Sequence, residues 1–277
     1  MLNANFCVYQ IYYDQITRES LDPDFLALDN SSNKRPDWYE FYVIRDFLKE
    51  NKLNGNTWYG FLSPKFKKKT GLTSKQVFDF LNFSETQKSD VAIITHSWDR
   101  IAYYKNPFEQ GDKIHPGLLD LSQSFLNLQG INVDLNKLIT HSYTTVFSNY
   151  IIAKPNYWEQ WLKIADAFFE FVESDNCELS QQLGAHTSYP SPQKFAPMKT
   201  FIQERFPSII LTQSNFSVSN LNLSKASPLF TVLFNENLYT RGLLQTCDLL
   251  KQKFTATNDD TFLDAYFLIR SLIQVNF

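Results

Sequence analysis

The chain has 277 residues, which suits one large α/β domain or a core domain with a smaller helical appendage, and we expect the second arrangement. Hydrophobic residues make up 43% and charged residues 20%, a globular composition that excludes a disordered or fibrous chain. The formal net charge of -3 gives no general attraction to nucleic acid, so we expect no DNA or RNA partner.

The cysteines and the apolar runs predict where the protein works. Cys7, Cys177 and Cys247 are odd in number and widely spaced, which indicates neither a disulfide framework nor a zinc cluster and fits a reducing compartment. The stretch 1–15 lacks the basic region of a signal peptide, and no run approaches the roughly 20 apolar residues that cross a bilayer. We therefore expect a cytoplasmic protein, either free or at the inner face of the cytoplasmic membrane.

Predicted strands and helices alternate along the chain. Strands are predicted at 6–13, 58–62, 91–95 and 145–153, and helices at 38–50, 74–83, 118–128, 155–173, 198–211, 231–253 and 260–275. This succession predicts an α/β fold with a mixed, Rossmann-like sheet flanked by helices over residues 1–212, followed by a helical appendage at 213–277. The apolar stripes of the appendage cannot stay in water, so its helices should pack on the main domain or form a homodimer contact.

A dense group of polar residues follows the central strand, Val91–Thr95. The strand is uniformly apolar and is followed directly by His96, Ser97, Trp98, Asp99 and Arg100. Ligands of open α/β sheets bind beyond the carboxyl ends of the strands, where loop side chains converge. We therefore expect this loop to line the ligand site, together with a second polar group that ends at His115.

Most of the strong catalytic motifs are missing. The sequence contains no P-loop, G-x-G-x-x-G, G-x-S-x-G or H-E-x-x-H pattern, so triphosphatase, hydride-transfer and triad-hydrolase functions lose support. The four histidines lie far apart, without the spacing of a dedicated zinc site. Asp22 and Asp24 form a D-x-D, the pattern with which metal-dependent sugar-nucleotide enzymes hold a divalent cation, although two carboxylates around a proline also arise by chance.

A basic turn follows the strand at 58–62. Lys65 comes first, after Ser63 and Pro64, and Lys67–Lys69 follow it. Such a run is typical of a solvated face. The alternative is that Lys65 meets a diphosphate and that Lys67–Lys69 attract an anionic membrane surface, which would give a peripheral membrane contact.

The order of these segments resembles that of the GT-A-like glycosyltransferases of bacterial capsule and O-antigen clusters. The corresponding segments, between residues 6 and 212, are FCVYQIYY, DWYEFYVIRDFLKEN, WYGFLSPKF, DVAIITHSWD, SNYIIAKPNYWEQWL and TFIQERFPSIIL. The resemblance implies a GT-A-like fold, with Glu40 on the early helix and Glu204 with Arg205 on the late one. The chain has His96-Ser97-Trp98-Asp99 where a D-x-D is expected, which leaves the dependence on Mn²⁺ or Mg²⁺ open.

The resemblance also implies a reaction, the transfer of a sugar from a nucleotide-sugar donor to a growing cell-surface polysaccharide or lipid-linked glycan. That chemistry needs a carboxylate near the sugar, positive charge or metal at the phosphates, and a base for the acceptor hydroxyl. Asp99 and Glu204 are the predicted catalytic carboxylates, with Asp99 on the donor side and Glu204 as base or acceptor-orienting group. The predicted donor-binding residues are Tyr12, Asp14, Lys65, His96, Arg100 and His115, and the predicted acceptor-binding residues are Asn149 and Trp158.

Two alternative functions stay open at this level. One is a related transferase that takes a sugar-phosphate donor such as phosphoribosyl diphosphate, and binding of that donor without uridine nucleotides would favour it. The other is a non-catalytic GT-A scaffold in a polysaccharide assembly complex, and the absence of any donor-induced melting shift would favour that. The donor sugar, the acceptor and the linkage are not encoded in any motif.

Overall fold

The computed structural model describes residues 6–188, 195–224, 234–235 and 237–275. The strands in these residues are β1 (Phe6–Tyr12), β2 (Leu26–Asp29), β3 (Trp58–Leu62), β4 (Val91–Thr95), β5 (Ile151–Ala153), β6 (His186–Ser188), β7 (Phe195–Pro197) and β8 (Val218–Asn222). The helices are α1 (Gln15–Glu19), α2 (Tyr39–Glu50), α3 (Phe66–Thr70), α4 (Ser74–Thr86), α5 (Trp98–Tyr103), α6 (Pro107–Ile114), α7 (Leu118–Leu128), α8 (Pro155–Ser174), α9 (Glu178–Gly184), α10 (Met198–Gln203), α11 (Phe206–Gln213), α12 (Leu238–Thr257) and α13 (Asp260–Ser271). A 3₁₀ turn, Pro36–Trp38, precedes α2.

A six-stranded mixed sheet with the order β2-β1-β3-β5-β4-β8 forms the centre of the protein. β1 runs parallel to β2 and β3, β4 runs parallel to β8, and β5 runs antiparallel between β3 and β4. The carboxyl ends of β1, β3 and β4 therefore meet at one edge, together with the start of β5. This edge is named the carboxyl edge. The predicted α/β fold with a mixed sheet flanked by helices is confirmed, and it is compatible with a Rossmann-like fold.

Helices cover both faces of the sheet, as the uniformly apolar β4 requires. Val91 and Ile93 pack on one face in a cluster with residues of α2, α7, α8 and α11. Ala92 and Ile94 pack on the other face with residues of α3 and α4. Because both faces of β4 are buried, its sequence does not alternate between apolar and polar residues.

The predicted strand at 145–153 is much shorter in the structure. β5 begins only at Ile151, because Ser148 and Asn149 adopt φ values of 60° and 54°. The left-handed region cannot continue a strand, and non-glycine residues enter it rarely. The turn-forming residues at 17–35 predict a long loop, and this prediction was also wrong, because the segment contains the end of α1 and all of β2. β2 is an edge strand held by its pairing with β1, and most of its side chains are exposed, so its sequence carries little apolar signal.

The C-terminal helices pack against the sheet domain through α5. Trp98 and Ala102 of α5 share a buried cluster with Leu244, Cys247 and Tyr266 of α12 and α13. The predicted packing of these helices on the main domain is therefore confirmed. The apolar stripes of these helices predict buried positions among Phe230, Leu233, Phe234, Leu244, Leu263, Phe267 and Ile269. Phe234 and Leu244 are buried, Leu263 and Ile269 are half-buried, and Phe267 is exposed. Phe230 and Leu233 lie outside the described residues.

The sheet extends beyond the predicted domain boundary at residue 212. β8 lies in the segment assigned to the helical appendage, yet it pairs in parallel with β4 over Val91–Thr95. Three of its five residues are Ser or Asn, so its sequence carries a weaker apolar signal than that of β3 or β4. Among the described residues, no helix combines the length and the apolar character that crossing a membrane requires.

Candidate functional site

The carboxyl edge gathers charged and polar side chains from several segments of the chain. Lys69 reaches across the edge from α3 and donates to Ser148 Oγ over 2.8 Å, and its Nζ lies 5.7 Å from the centre of the Tyr150 ring. The His96 ring lies 5.0 Å from the same tyrosine ring. We name the following residues the edge cluster: Glu40, Lys69, His96, Arg100, Asn149, Tyr150 and Glu204.

Tyr150 connects the ends of β3 and β4 within this cluster. Its backbone carbonyl accepts from Ile94 N in β4, and its hydroxyl lies 2.9 Å from Ser63 Oγ, just after β3. Burial raises the pKa of the Tyr150 hydroxyl, and the nearby carboxylates of Glu40 and Glu204 raise it further. Tyr150 therefore stays protonated at neutral pH and can donate or accept a hydrogen bond.

Glu40 and Glu204 are the two carboxylates of the edge cluster, and their charges interact. Burial raises the pKa of Glu204, and the negative charge of Glu40 adds to this effect, while Lys69 and Arg205 act in the opposite direction. Burial also holds the pKa of Tyr13 above its usual range, reinforced by the Glu40 carboxylate beside its hydroxyl. A carboxyl group with a raised pKa is suited to proton transfer near neutral pH.

Positive charge lies beside these carboxylates. Burial lowers the pKa of His96 to about 3, with further lowering from the charges of Lys69 and Arg100, so its ring is neutral at pH 7. Arg100 Nε and Asn149 Oδ1 are buried and have no hydrogen-bond partner among the described residues. A buried polar atom of this kind needs a partner, and a polar ligand at the carboxyl edge would supply one.

A break between two helices places Glu204 in the cluster. A single helix is predicted over 198–211, but α10 ends at Gln203 and α11 begins at Phe206. Pro207 has no N–H and its ring would clash with the carbonyl four residues earlier, so it is tolerated only in the first turn of a new helix. The interruption leaves Glu204 and Arg205 at the junction.

Arg205 serves a different purpose from its neighbour Glu204. Its guanidinium is buried and donates to the carbonyl oxygens of Pro107 and Phe201 and, over 2.9 Å, to Gln110 Oε1. Within the described part of the chain, no ion pair joins it to Glu204. The guanidinium instead ties α6 to the end of α10, while the Glu204 carboxyl group interacts with Lys69.

The basic turn contributes a different lysine from the one predicted. Lys65 is exposed at the residue before α3, whereas Lys69 at the end of this helix is half-buried against Ser148. Lys69 joins the edge cluster because the helix formed by Phe66–Thr70 carries the chain back toward the sheet, and the donor contact of Lys65 stays a prediction. No signal in the sequence distinguished Lys69 from Lys67 and Lys68, since that distinction depends on where Ser148 lies.

Two predicted donor residues from the end of β1 are occupied by local contacts. Asp14 is the N-cap of α1, where its Oδ1 accepts from Thr17 N over 2.7 Å. A hydrogen bond to Asp29 raises the pKa of Tyr12, and burial adds to this. The helix cap accounts for Asp14 without a ligand. The neighbouring Tyr13, beside Glu40, is the residue from this strand end that reaches the edge cluster.

Trp158 lies in the core and not in the acceptor site. Its side chain is 1% exposed, and its Nε1 donates to the carbonyl oxygen of Tyr59 over 2.9 Å. The other four tryptophans, at positions 38, 58, 98 and 161, are also buried. The acceptor contact predicted for Trp158 is therefore corrected, because the thick apolar stripe of α8 faces the sheet.

His115 and Asp99 are both almost completely buried. His115 stacks on Phe201 with ring centres 3.6 Å apart, so it packs against α10, the helix that ends beside Glu204. Asp99 lies in the first turn of α5 and is 1% exposed. Its expected position close to the end of β1 stays a prediction.

The Asp22-Pro23-Asp24 pattern caps a helix. Asp22 Oδ2 accepts from Ser74 N over 3.0 Å, and Asp24 Oδ2 accepts from Ser74 Oγ over 3.0 Å, at the start of α4. Both carboxylates are thereby used in the fold. Elsewhere in the described residues, no group of three or more His, Cys, Asp and Glu side chains is arranged to hold a metal ion.

A cavity of about 400 Å³ is lined by paired charges and shares no lining residue with the edge cluster. Lys199 forms an ion pair with Asp37 at 2.5 Å, and Arg35 forms one with Glu173 at 2.7 Å. Trp38 Nε1 donates a hydrogen bond to Glu173 over 2.9 Å. Each lysine or arginine of this network already has a carboxylate partner. The network therefore holds the 3₁₀ turn, which includes Asp37, against α8.

The burial of His96 predicts a specific acid sensitivity. The folded pKa is about 3 and the unfolded value is 6.5, so the unfolded state binds the proton first and stability is lost as the pH falls below about 6.5. At pH 4 this single group should cost about 3 kcal/mol relative to pH 7. His96→Gln should therefore lose less stability than the wild type between these pH values in urea titrations. Parallel losses in the two proteins would contradict the buried, neutral state of His96.

Comparison of the chain with protein-family models, with curated proteins and with solved structures gives no match. The fold and the chemistry of the edge cluster are therefore the observations that bear on function. Both point to the carboxyl edge of the sheet, the position at which open α/β sheets bind ligands.

Proposed function

We propose that the protein is a GT-A-like glycosyltransferase that moves a sugar from a nucleotide-sugar donor to a growing cell-surface polysaccharide or lipid-linked glycan. The observation that carries this proposal is the juxtaposition, at the carboxyl edge of the sheet, of cations with half-buried carboxyl groups. Lys69 and Arg100 supply the positive charge, and Glu40 and Glu204 supply the carboxyl groups. This is the pairing that transfer from a sugar diphosphate requires.

The positive side of the cluster would hold the diphosphate. Lys69 and Arg100 offer charged N–H donors, which bind phosphate oxygens about twice as strongly as neutral donors do. The neutral His96 ring adds a further hydrogen-bonding group without adding charge. When the bond to the sugar breaks, negative charge accumulates on the leaving diphosphate, and these fixed donors stabilise it.

The carboxyl side of the cluster would act on the sugar and the acceptor. Glu204 has a pKa raised by burial, so it can take the proton of an acceptor hydroxyl as the new bond forms. Asp99 is the proposed donor-side carboxylate, and Asn149 lies at the same edge with an amide for a sugar hydroxyl. The dependence on Mn²⁺ or Mg²⁺, which the sequence leaves open, is tested by measuring transfer with and without the metal.

The surface beside the cluster suits a membrane-bound acceptor. Lys67 and Lys68 are exposed on α3 and directly precede Lys69, whose side chain enters the cluster. Lysines near an anionic leaflet contribute about 1 kcal/mol each to binding. We therefore propose that the protein works in the cytoplasm and contacts the inner face of the membrane peripherally.

Replacing Lys69 should weaken donor binding selectively. Lys69→Met keeps the length of the side chain and removes its charge, so the dissociation constant of the donor should rise about 10- to 100-fold, the value of one charged hydrogen bond. Lys68→Met is the matched control, because this exposed neighbour does not reach Ser148. Isothermal titration of both variants measures the difference, and equal affinities would remove Lys69 from the donor site.

A melting-temperature screen tests the proposed function. The panel contains nucleotide sugars, free uridine nucleotides and phosphoribosyl diphosphate, each with and without Mn²⁺. A ligand at 100 times its dissociation constant stabilises a protein by about 2.7 kcal/mol, which is easily measured. We expect a nucleotide sugar to raise the melting temperature and to be cleaved to the nucleoside diphosphate when acceptor is present. Stabilisation by phosphoribosyl diphosphate alone, or by no donor, would overturn the proposal in favour of a different transferase or a scaffold.

A further inference from the structure

The short helix α5 carries Arg100. Side chains of the C-terminal helices donate hydrogen bonds to the carbonyl groups at its carboxyl end. The last four carbonyl groups of any helix lack partners within the helix. In α5 these are the carbonyls of residues 101 to 104. Lys251 of α12 donates to the carbonyl oxygens of Ile101 and, over 2.6 Å, Tyr104, and the Tyr266 hydroxyl of α13 donates to that of Tyr103 over 2.7 Å.

Lys251 is an unusual residue to find in this position. Its side chain is 0% exposed, and within the described residues it forms no ion pair; its ammonium contacts the two carbonyls of α5. Burial lowers its pKa to about 8, although Asp248 acts in the opposite direction. Burying an ammonium group costs more than burying a methionine of similar length. The hydrogen bonds to the two carbonyls of α5 offset this cost, so the lysine acts through the helix end that it holds.

Other polar contacts join the same two helices to segments around the edge cluster. Asp248 accepts from Ser142 N over 2.9 Å and from Ser142 Oγ over 2.6 Å, in the loop that leads to Asn149 and Tyr150. Arg270 pairs with Glu109 of α6 over 3.0 Å, and α6 is the helix to which Arg205 is tied. The C-terminal helices thus fix α5, α6 and the loop before β5 at once.

We propose that Lys251 is a positioning residue of the donor site, which fixes the carboxyl end of α5 and through it the guanidinium of Arg100. This inference rests on the proposed function, because it assigns Arg100 to the diphosphate. A cation at the carboxyl end of a helix also interacts favourably with the helix dipole, which strengthens the attachment. The C-terminal helices then act on the site without contacting the substrate.

A double-mutant cycle distinguishes this role from a general contribution to folding. Lys251→Met should raise the dissociation constant of the donor found in the melting screen about 10-fold, whereas Lys253→Met, an exposed lysine on the same helix, should leave it unchanged. In an Arg100→Met background, Lys251→Met should add little further loss, because Lys251 acts on the donor only by positioning Arg100. Additive losses would overturn the proposal.

Hydrogen exchange gives a second readout that needs no ligand. In Lys251→Met the amides of residues 98–104 should exchange faster than in the wild type, while β3 and β4 keep their protection. If Lys251→Met does not fold, Lys251→Gln retains two donors and is measured in the same way, and failure of both variants to fold would show a purely structural role. A wild type that binds no donor defeats the proposed function, whereas a normal wild type with unchanged exchange and affinity in Lys251→Met defeats this inference alone.

Discussion

Glu204→Gln should leave the protein folded and able to bind its donor but should reduce sugar transfer about 100-fold or more. The substitution keeps the shape of the side chain and removes its ability to accept a proton, and losses of this size are usual for an acid-base group. The raised pKa of Glu204 and its position beside Lys69 are the reasons for expecting this role. The turnover number, measured at saturating donor, is the quantity to compare.

The matched control for this experiment is Glu159→Gln, since Glu159 is exposed on α8, which packs against the sheet. It should be as active as the wild type. If Glu204 were structural, the substitution would instead lower the free energy of unfolding, by about 3 to 5 kcal/mol where a buried partner is left unpaired. A Glu204→Gln protein with full stability and full activity would exclude both roles.

Arg205→Met should show the opposite behaviour and lower the free energy of unfolding by about 3 kcal/mol or more. The buried guanidinium donates to Pro107, Phe201 and Gln110, and each buried acceptor that loses a donor costs about 1 to 3 kcal/mol. Burial lowers the pKa of Arg205 to about 10, so the group remains charged at neutral pH. Urea denaturation measures the loss.

Gly111 provides an independent check on the packing of Arg205. A Cβ at Gly111 would lie 2.6 Å from the guanidinium Nη2, so Gly111→Ala should also destabilise the protein. The matched control is Gly242→Ala in α12, where nothing lies within 4 Å of the added Cβ. That substitution should stabilise the protein by roughly 0.5 to 1 kcal/mol, because alanine favours helices. Equal effects at the two glycines would contradict the contact between Gly111 and Arg205.

The secondary structure was predictable wherever the apolar residues of a segment directly reflect its burial. β3 and β4 have the bounds expected from the sequence, because a strand covered on both faces must be apolar throughout. β2 and β8 were missed because their pairing with β1 and β4 holds them in place, and their own side chains carry little apolar signal. The interval 198–211 is helical as predicted, but it is divided into α10 and α11, with Pro207 in the first turn of the second helix.

The candidate site was predictable only in part, because its members come from distant segments. His96, Arg100, Asn149 and Glu204 were expected at a ligand site from the strand ends and from the resemblance, and all belong to the edge cluster. Lys69 was not, since its place depends on a contact with Ser148, which lies 79 residues away in the chain. Trp158 was expected at the acceptor site because an aromatic stripe is typical both of a sugar-binding platform and of a buried core.

The backbone segments that a bound donor protects from hydrogen exchange show where the donor binds. Hydrogen exchange measured with and without the nucleotide sugar that stabilises the protein gives this footprint. Protection should appear at residues 62–70, 95–104, 147–151 and 200–206, the segments that meet at the carboxyl edge. Protection confined to the charged cavity lined by Arg35, Glu173 and Lys199 would contradict the proposed donor site, since no residue of the edge cluster lines that cavity.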